Sequence, residues 1–439
     1  MITKDLKILD EFCKGCGTCE GVCPQGAIRL HRQENGRYLP RREEDLCRTC
    51  DLCYRSCPAW PFHQNGLSFK SLKSAPAHDL IGPFLHTYSG FSTDEEMRFL
   101  SSSGGITSSI LADRLMTGEI DAALVVRLKG GNPFAEPEVL LVRKAEEIQS
   151  TLGSKYLPIP LNRAIKEIMS RGEIRRVGVV GLPCHLEGLS KAGSIFKELR
   201  DKIAFTLGLF CRHTKELGFT RILLSRLGVD ISQLDSLSYR CSGWPGYVRA
   251  LLTDGTERMS PYFDEGFVFL WLLQSFAPLS CMLCCDPTAE FADISVGDAW
   301  VDEFADEKSG ISLAITRTQR GEALARQAMA DDVISMQEIS SEKVVKSQVR
   351  RALMRKKVNY RSKLAALKPS GYREIRDRYS DQELDRRGIL ALRQIMMARN
   401  FSSGRVFSFL FTHTPTAFFE RLKKSAQRRM AAGKRLQER

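Results

Sequence analysis

Eight of the fourteen cysteines fall in the first 57 residues as two copies of one spacing: Cys13, Cys16, Cys19 and Cys23 before Pro24, then Cys47, Cys50, Cys53 and Cys57 before Pro58. Such C-x2-C-x2-C runs let three thiolates cap three irons of one [4Fe-4S] cube, while the fourth cysteine, set off by its proline, reaches the other cube. The expected ligand sets are Cys13, Cys16, Cys19 and Cys57 for one cluster, and Cys47, Cys50, Cys53 and Cys23 for its partner. The chemistry implied is single-electron transfer. Neither a disulfide framework nor structural zinc needs the third cysteine or the repeated C-P ending.

Six further cysteines lie in the body of the chain. Cys184 follows a strand-like run in GVVGLPCH, Cys211 ends one in TLGLFC, and Cys281 with Cys284 forms a C-x2-C pair. Four thiolates from strand ends and one loop can converge on a metal centre, but cysteine is also a common small buried hydrophobe. Spacing alone leaves both readings open.

The elements that must position these groups are legible in outline. At 439 residues the chain has room for about three domains, and 43% hydrophobic with 27% charged residues fits a soluble globular protein. The first unit, residues 1–65, is a two-cluster ferredoxin domain of bacterial type, with residues 24–46 inserted between its cysteine runs. The polar stretch HQNGLSFKSLKSAPAHD reads as a linker. From Tyr88, runs such as IDAALVV, VLLVRK, RRVGVVGLPC, IAFTLGLFC and ADISVGDAW read as strands. They alternate with helical segments in SSSGGITSSILADRLMTGEI and LNRAIKEIMSRGEI, which predicts an α/β body with a central sheet. The apolar run FVFLWLLQSFAPL is too short for a membrane span and reads as a buried helix leading into Cys281. The N-terminus lacks the apolar core of a signal peptide, and fourteen cysteines without an export signal suit metal ligation in a reducing compartment. A cytoplasmic location is therefore expected.

The net charge of +13 is unevenly placed, since residues 346–439 hold 25 Lys and Arg against 7 Asp and Glu. The rest of the chain is mildly acidic. Residues 331–439 are read as a basic, mainly helical tail whose VFSFLFTHTPTAFFERLKK stretch sets aromatics beside lysines, compatible with an acidic partner or the inner face of a membrane. No nucleic-acid motif is present, so no nucleic-acid partner is expected.

The segments GLPCH, GLFC, YRCSGWPGY and CMLCCDPTAEFADISVGDAW, with SSSGGITSSI and GSKY upstream, resemble the coenzyme F420 hydrogenase/dehydrogenase beta-subunit family, in order, over roughly residues 85–325. The resemblance divides the body into an N-terminal part, 82–160, and a C-terminal part, 161–330. It implies an FAD protein with a third [4Fe-4S] cluster beside the flavin, held by Cys184, Cys211, Cys281 and Cys284, with Cys241 and Cys285 outside the set. The same family includes a plant chlorophyll-cycle hydroxymethyl reductase and other ferredoxin-linked reductases.

In SSSGG, Ser102 and Ser103 offer hydroxyls to a flavin, Gly104 and Gly105 permit close backbone approach, and the next helix presents its N-terminus to a pyrophosphate. Ser-Gly before a helix is also ordinary capping. No GxGxxG follows the first strand, so a nicotinamide dinucleotide fold is unsupported. Lys155 in GSKY is either a charge near the flavin or a surface lysine. Glu290 and Asp298 match family positions near the cofactor and are either catalytic or structural carboxylates. His185 is the candidate for catalytic proton delivery, or else a hydrogen-bonding support for its neighbour Cys184.

The expected function is an oxidoreductase passing electrons from ferredoxin, or another electron-transfer protein, through three clusters to FAD and on to a deazaflavin such as coenzyme F420 or a small organic substrate. The alternative is a non-catalytic electron-transfer subunit docked on a partner enzyme.

Overall fold

The computed structural model describes residues 10–59, 77–130, 136–263, 267, 270–271, 273–358, 360–367, 383 and 385–413. In the cysteine-rich module β1 (Ile28–Arg32) pairs antiparallel with β2 (Tyr38–Arg42). Single-turn helices Thr18–Gly21 and Leu52–Arg55 carry Cys19 and Cys53. Its apolar core is little more than Cys23, Ala27 and Ile28 with neighbouring cysteines. So small a core depends on metal or on a larger neighbour for stability.

The neighbour is the body. Gly17 (φ +89) and Gly21 lie where a Cβ would stand 2.6 Å from Arg163 N and 2.2 Å from Asn162 O, so the first cysteine loop packs backbone to backbone on Pro160–Arg163. The amide of Asn162 donates to Cys16 O at 2.8 Å across this contact.

After the short pair β3 (Ala77–His78) and β4 (Gly82–Pro83), strands β5 (His86–Ser92), β6 (Ala122–Lys129), β7 (Glu136–Val142), β8 (Val177–Gly181) and β9 (Ile203–Leu209) enter one large sheet. Strands β10 (Leu234–Cys241), β11 (Tyr247–Leu252) and β12 (Glu257–Pro261) form a separate antiparallel sheet. The chain then returns through β13 (Ile294–Asp298), β14 (Ser312–Thr316) and β15 (Ile334–Glu338). The large sheet has the order β15-β5-β14-β13-β9-β8-β6-β7. Its centre, β6-β8-β9-β13, is parallel, and β7 and the β14-β5-β15 flank are antiparallel. The body is therefore mixed α/β.

The valine-rich central strands are covered on both faces, as parallel strands require. Helix Ile106–Met116 sets Ile106, Ile110 and Leu111 against Phe205, Leu207 and Ile294 on one face. Helix Pro183–Ile195 sets Leu186, Leu189 and Ala192 against Val177 and Val179 on the other. Adjacent parallel strands β8 and β9 both end beside a cysteine, Cys184 and Cys211. The carboxyl ends of parallel strands are the usual ligand position in an open α/β sheet.

The expected boundary at residue 330 does not divide the structure. Residues 334–338 are the edge strand β15, paired with β5, and only afterwards is the described chain helical, over Ser341–Ser347, Arg350–Lys357, Tyr360–Leu367, Arg386–Ser402 and Arg405–His413. These helices cap the body: Phe411 is buried in the core of the β10-β12 sheet, and Ser403 Oγ accepts from Phe276 N at 2.8 Å. In the FVFLWLLQSFAPL run, Phe267 and Leu270 are helical and buried, and positive φ values at Gln274 and Phe276 break the run before Cys281. Most of the expected linker and the end of the aromatic-lysine stretch lie outside the described residues.

Replacing Gly21 by alanine should destabilise the protein by about 1–3 kcal/mol, the usual cost of overpacking, and lower its thermal midpoint. An unchanged midpoint would show that the cysteine module does not press on Asn162 as described.

Candidate functional site

The eight N-terminal thiols sort by mutual proximity into two groups. The field at Cys57 includes Cys16 and Cys13, and that at Cys19 includes Cys13, Cys16, Cys57 and then Cys53. Around Cys53 the neighbouring thiols are Cys50, Cys23 and Cys47. The structure thus brings each fourth cysteine to the other run's triplet. Burial pushes the Cys13 and Cys57 thiols up to about 12 and Cys53 up to about 11, so iron must displace protons on binding. Cys50 is exposed, whereas Cys16 is buried. The Cys47 group faces solvent, and the Cys13 group faces the body.

A third group stands at the carboxyl ends of β8 and β9. Cys184 is the second residue of helix Pro183–Ile195, Cys211 follows β9, and Cys281 and Cys284 come from helix Leu279–Leu283 and the residue after it. All four line one cavity, together with Lys14, His185, His213, Asp286 and Lys356. Cys241 and Cys285 do not line it. Cys285 Sγ lies 3.2 Å from Lys363 Nζ and 3.6 Å from Leu283 O, and Cys241 Sγ points to Tyr247 O. Among the described residues no three His, Cys, Asp or Glu side chains converge closely enough to hold a single ion. A cavity walled by four thiols suits a larger group of cube type.

The cavity adjoins the inner N-terminal group. Cys16 contributes to the field at Cys184, and Lys14, between Cys13 and Cys16, reaches into the cavity and pairs with Glu187 at 3.5 Å. Burial opposes the Lys14 charge, but Glu187, Cys284, Cys184 and Cys285 outweigh it and hold its pKa well above the ordinary value. Glu187 also pairs with buried Lys191 at 2.7 Å, and Lys191 donates to Cys57 O at 3.1 Å. Asn162 completes the junction, its side-chain amide donating to Thr18 Oγ1 and His185 O at 2.8 Å each.

Cations from beyond residue 342 close the other side. Lys356 donates to Cys281 O at 2.6 Å and Lys363 to Cys284 O at 2.7 Å. Burial, then Glu290, lifts the neighbouring Asp286 carboxyl to about 6. Burial, then Lys215 and Lys356, holds His213 well below its ordinary value, so its ring is neutral.

His185 does not have the freedom expected of a proton donor. Its Nδ1 accepts from Leu182 N at 3.1 Å and its Nε2 donates to Ile159 O at 2.9 Å. Burial pulls its pKa down to about 4. With both nitrogens committed to backbone, the ring fixes the first helical turn and thereby Cys184.

The expected flavin residues are also engaged with protein. Ser102 Oγ accepts from Ser154 N at 2.7 Å, Ser103 Oγ donates to Ile311 O at 2.9 Å, and Gly104 N donates to Ser312 Oγ at 2.9 Å. Gly105 (φ +79) starts helix Ile106–Met116 with no side-chain cap. Lys155 is half-buried, and its ammonium donates to the carbonyls of Thr151, Leu152 and Gly153. Burial pulls it down to about 7, while three acceptors oppose loss of a proton that only the ammonium can share three ways. Asp298 forms a two-pronged pair with buried Arg240 at 2.9 and 3.1 Å. A Cβ on Gly153 would lie 3.2 Å from Arg240 O, so the Ser102, Lys155 and Asp298 regions meet. Glu290 stands apart from them, paired with Lys357 and packed on Gly82.

Residues 87–166 and 174–342 match the family models described as coenzyme F420 hydrogenase/dehydrogenase beta subunit, N-term and C terminus, and residues 12–60 match a 4Fe-4S dicluster domain. The chain belongs to the coenzyme F420 hydrogenase/dehydrogenase beta-subunit family and carries an N-terminal 4Fe-4S dicluster domain. It is 28% identical over 326 residues to one of the subunits of the F(420)H(2) dehydrogenase of Methanosarcina mazei, covering 72% of this chain and 82% of that protein. It is 27% identical over 342 residues to a coenzyme F420-dependent sulfite reductase of Methanocaldococcus jannaschii, covering 74% of this chain but 47% of that one. A chain of the F420-reducing [NiFe] hydrogenase complex from Methanosarcina barkeri shares the fold, with a TM-score of 0.54 and 20% identity over 71% of this chain and 98% of that chain.

Replacing Cys184 or Cys281 by alanine should remove about four irons per chain and spare the N-terminal clusters. Cys285→Ala and Cys241→Ala should keep the full iron content. Iron loss from Cys285→Ala equal to that from Cys284→Ala would contradict the ligand set.

Proposed function

We propose that the chain is an iron-sulfur flavoprotein oxidoreductase that exchanges single electrons with a protein partner at its outer cysteine group and hydride with coenzyme F420 or a related small molecule at its body. The observation that carries this reading is the succession of cysteine groups. The group of Cys47, Cys50, Cys53 and Cys23 opens to solvent at exposed Cys50, Cys13, Cys16, Cys19 and Cys57 lie on its body side, and Cys184, Cys211, Cys281 and Cys284 stand across Lys14 at the sheet's carboxyl end. Three [4Fe-4S] clusters would supply one-electron carriers, and FAD the conversion between one and two electrons.

The chain's own residues provide the surroundings. Lys14, Lys356 and Lys363 offset the negative charge of the inner thiolates, and the β8 and β9 ends fix Cys184 and Cys211. For the flavin, support comes from family membership and from the convergence of the Ser102–Gly105 and Gly153–Lys155 loops beside the uncapped N-terminus of helix Ile106–Met116. Ser102, Ser103 and Lys155 hold those loops in shape, leaving backbone amides for the pyrophosphate. Coenzyme F420 as the hydride partner follows the names of the relatives. A soluble ferredoxin or a fellow subunit would serve at Cys50.

A second reading, a non-catalytic electron-transfer subunit docked on a partner enzyme, draws on the exposed apolar side chains Leu390, Met397, Phe401, Val406, Phe409 and Leu410 of the last two described helices. Hydride exchange by the isolated chain separates the two. No helix among the described residues is long and apolar enough to cross a membrane.

Cys50→Ala should abolish electron exchange with a protein acceptor while leaving reduction by reduced coenzyme F420 intact, followed through the coenzyme's absorbance under anaerobic conditions. Equal loss of both activities would contradict the proposed order of the groups.

A further inference from the structure

The wall of the cavity bounded by Cys184, Cys211, Cys281 and Cys284 carries buried polar atoms without a hydrogen-bond partner: both ring nitrogens of His213, Oγ1 of Thr214 and Oγ of Ser280. His213 is 6% exposed and Ser280 1%, so bulk water does not serve them. Orphaned atoms of this kind are rare in a folded protein and call for a ligand. Three such side chains on one wall, facing the same four thiols, point to the same ligand.

The ring of His213 is held in place. Its centroid lies 4.8 Å from that of Trp271, and the Lys215 ammonium sits 4.6 Å from the Trp271 ring on the same cluster of side chains. The segment from Cys211 to Thr214 already lines the cavity with the Cys211 thiol and with Thr214. A further contribution from His213 is the economical account of a fixed, dry, unpartnered ring at this position.

We propose that His213 donates a hydrogen bond to sulfur of the cluster seated among Cys184, Cys211, Cys281 and Cys284, and that this bond raises the reduction potential of that cluster above what its thiolates alone would set. Four thiols already complete the ligand set of a cube, so the role is tuning and not ligation. Hydrogen bonds to cluster sulfur stabilise the more negative, reduced state, and partners of this kind orient and tune a metal site from outside its ligands. Thr214 and Ser280 hydroxyls on the same wall act in the same sense. The proposal rests on the third-cluster reading given above.

The test is a redox titration of the full chain followed by electron paramagnetic resonance, with the third cluster recognised as the signal missing from Cys184→Ala. His213→Leu should lower that cluster's midpoint by about 59 mV, a tenfold change in its reduction equilibrium, with the two N-terminal clusters as unshifted internal references. His213→Gln, which keeps an N–H donor, should restore much of the shift. An unshifted midpoint in His213→Leu at full iron content overturns the proposal, and so does loss of the third cluster in both variants, which makes His213 structural. A variant-free measurement stands beside these: in wild-type protein with nitrogen-15 histidine, the reduced third cluster should show a weak histidine nitrogen coupling, and its absence overturns the bond. A wild-type iron content of about eight atoms would remove the third-cluster reading itself, which is distinguishable from an unshifted midpoint at full iron.

Discussion

Everything at the site depends on the dry contact between the first cysteine loop and the body at Asn162. This residue is fully buried, and its backbone and side chain together bind Cys16 O, Thr18 Oγ1 and His185 O. One residue therefore fixes the loop of the inner N-terminal cysteine group against the helix that carries Cys184. Thr18 Oγ1 in turn lies 3.2 Å from Cys16 Sγ. Gly17, Gly21 and Gly188 supply the missing side chains that let these backbones meet. Electron transfer needs short, fixed separations, and a contact made by backbone and buried amide does not allow the two parts to drift.

The same junction solves an electrostatic problem. Cysteine thiolates gathered in a dry interior repel one another, and burying a charge unpaired is costly. Lys14, Lys191, Lys356 and Lys363 surround the inner groups, with Glu187 tying the first two together. Two of these cations come from the module or its contact helix and two from the C-terminal segment. The positive charge of that segment is thus partly used inside the protein, on carbonyls of the Cys281–Cys285 loop, and is not all a solvated face.

The N-terminal cysteine sets were legible because spacing in a short loop dictates which thiols can meet, and the α/β body was legible from its valine-rich runs. Cys184, Cys211, Cys281 and Cys284 needed the family resemblance, since residues far apart in sequence carry no local signal of convergence. The role of His185 misled for a physical reason: beside a metal-site cysteine an imidazole reads as a proton carrier, whereas here two backbone groups claim its nitrogens. His213 sat two residues after Cys211 and could have been singled out on that ground. Lys356, Lys363 and strand β15 could not, because a tally of charge says nothing about where a segment folds back. The serines and Lys155 do lie near one another, yet their polar atoms turn inward to shape loops.

The most direct test of the whole account is the iron, acid-labile sulfide and flavin content of protein purified without oxygen. Three cubes predict about twelve irons and as many sulfides per chain, with about one FAD. About eight irons and no flavin would contradict it, leaving a two-cluster module attached to a body that carries no redox centre of its own.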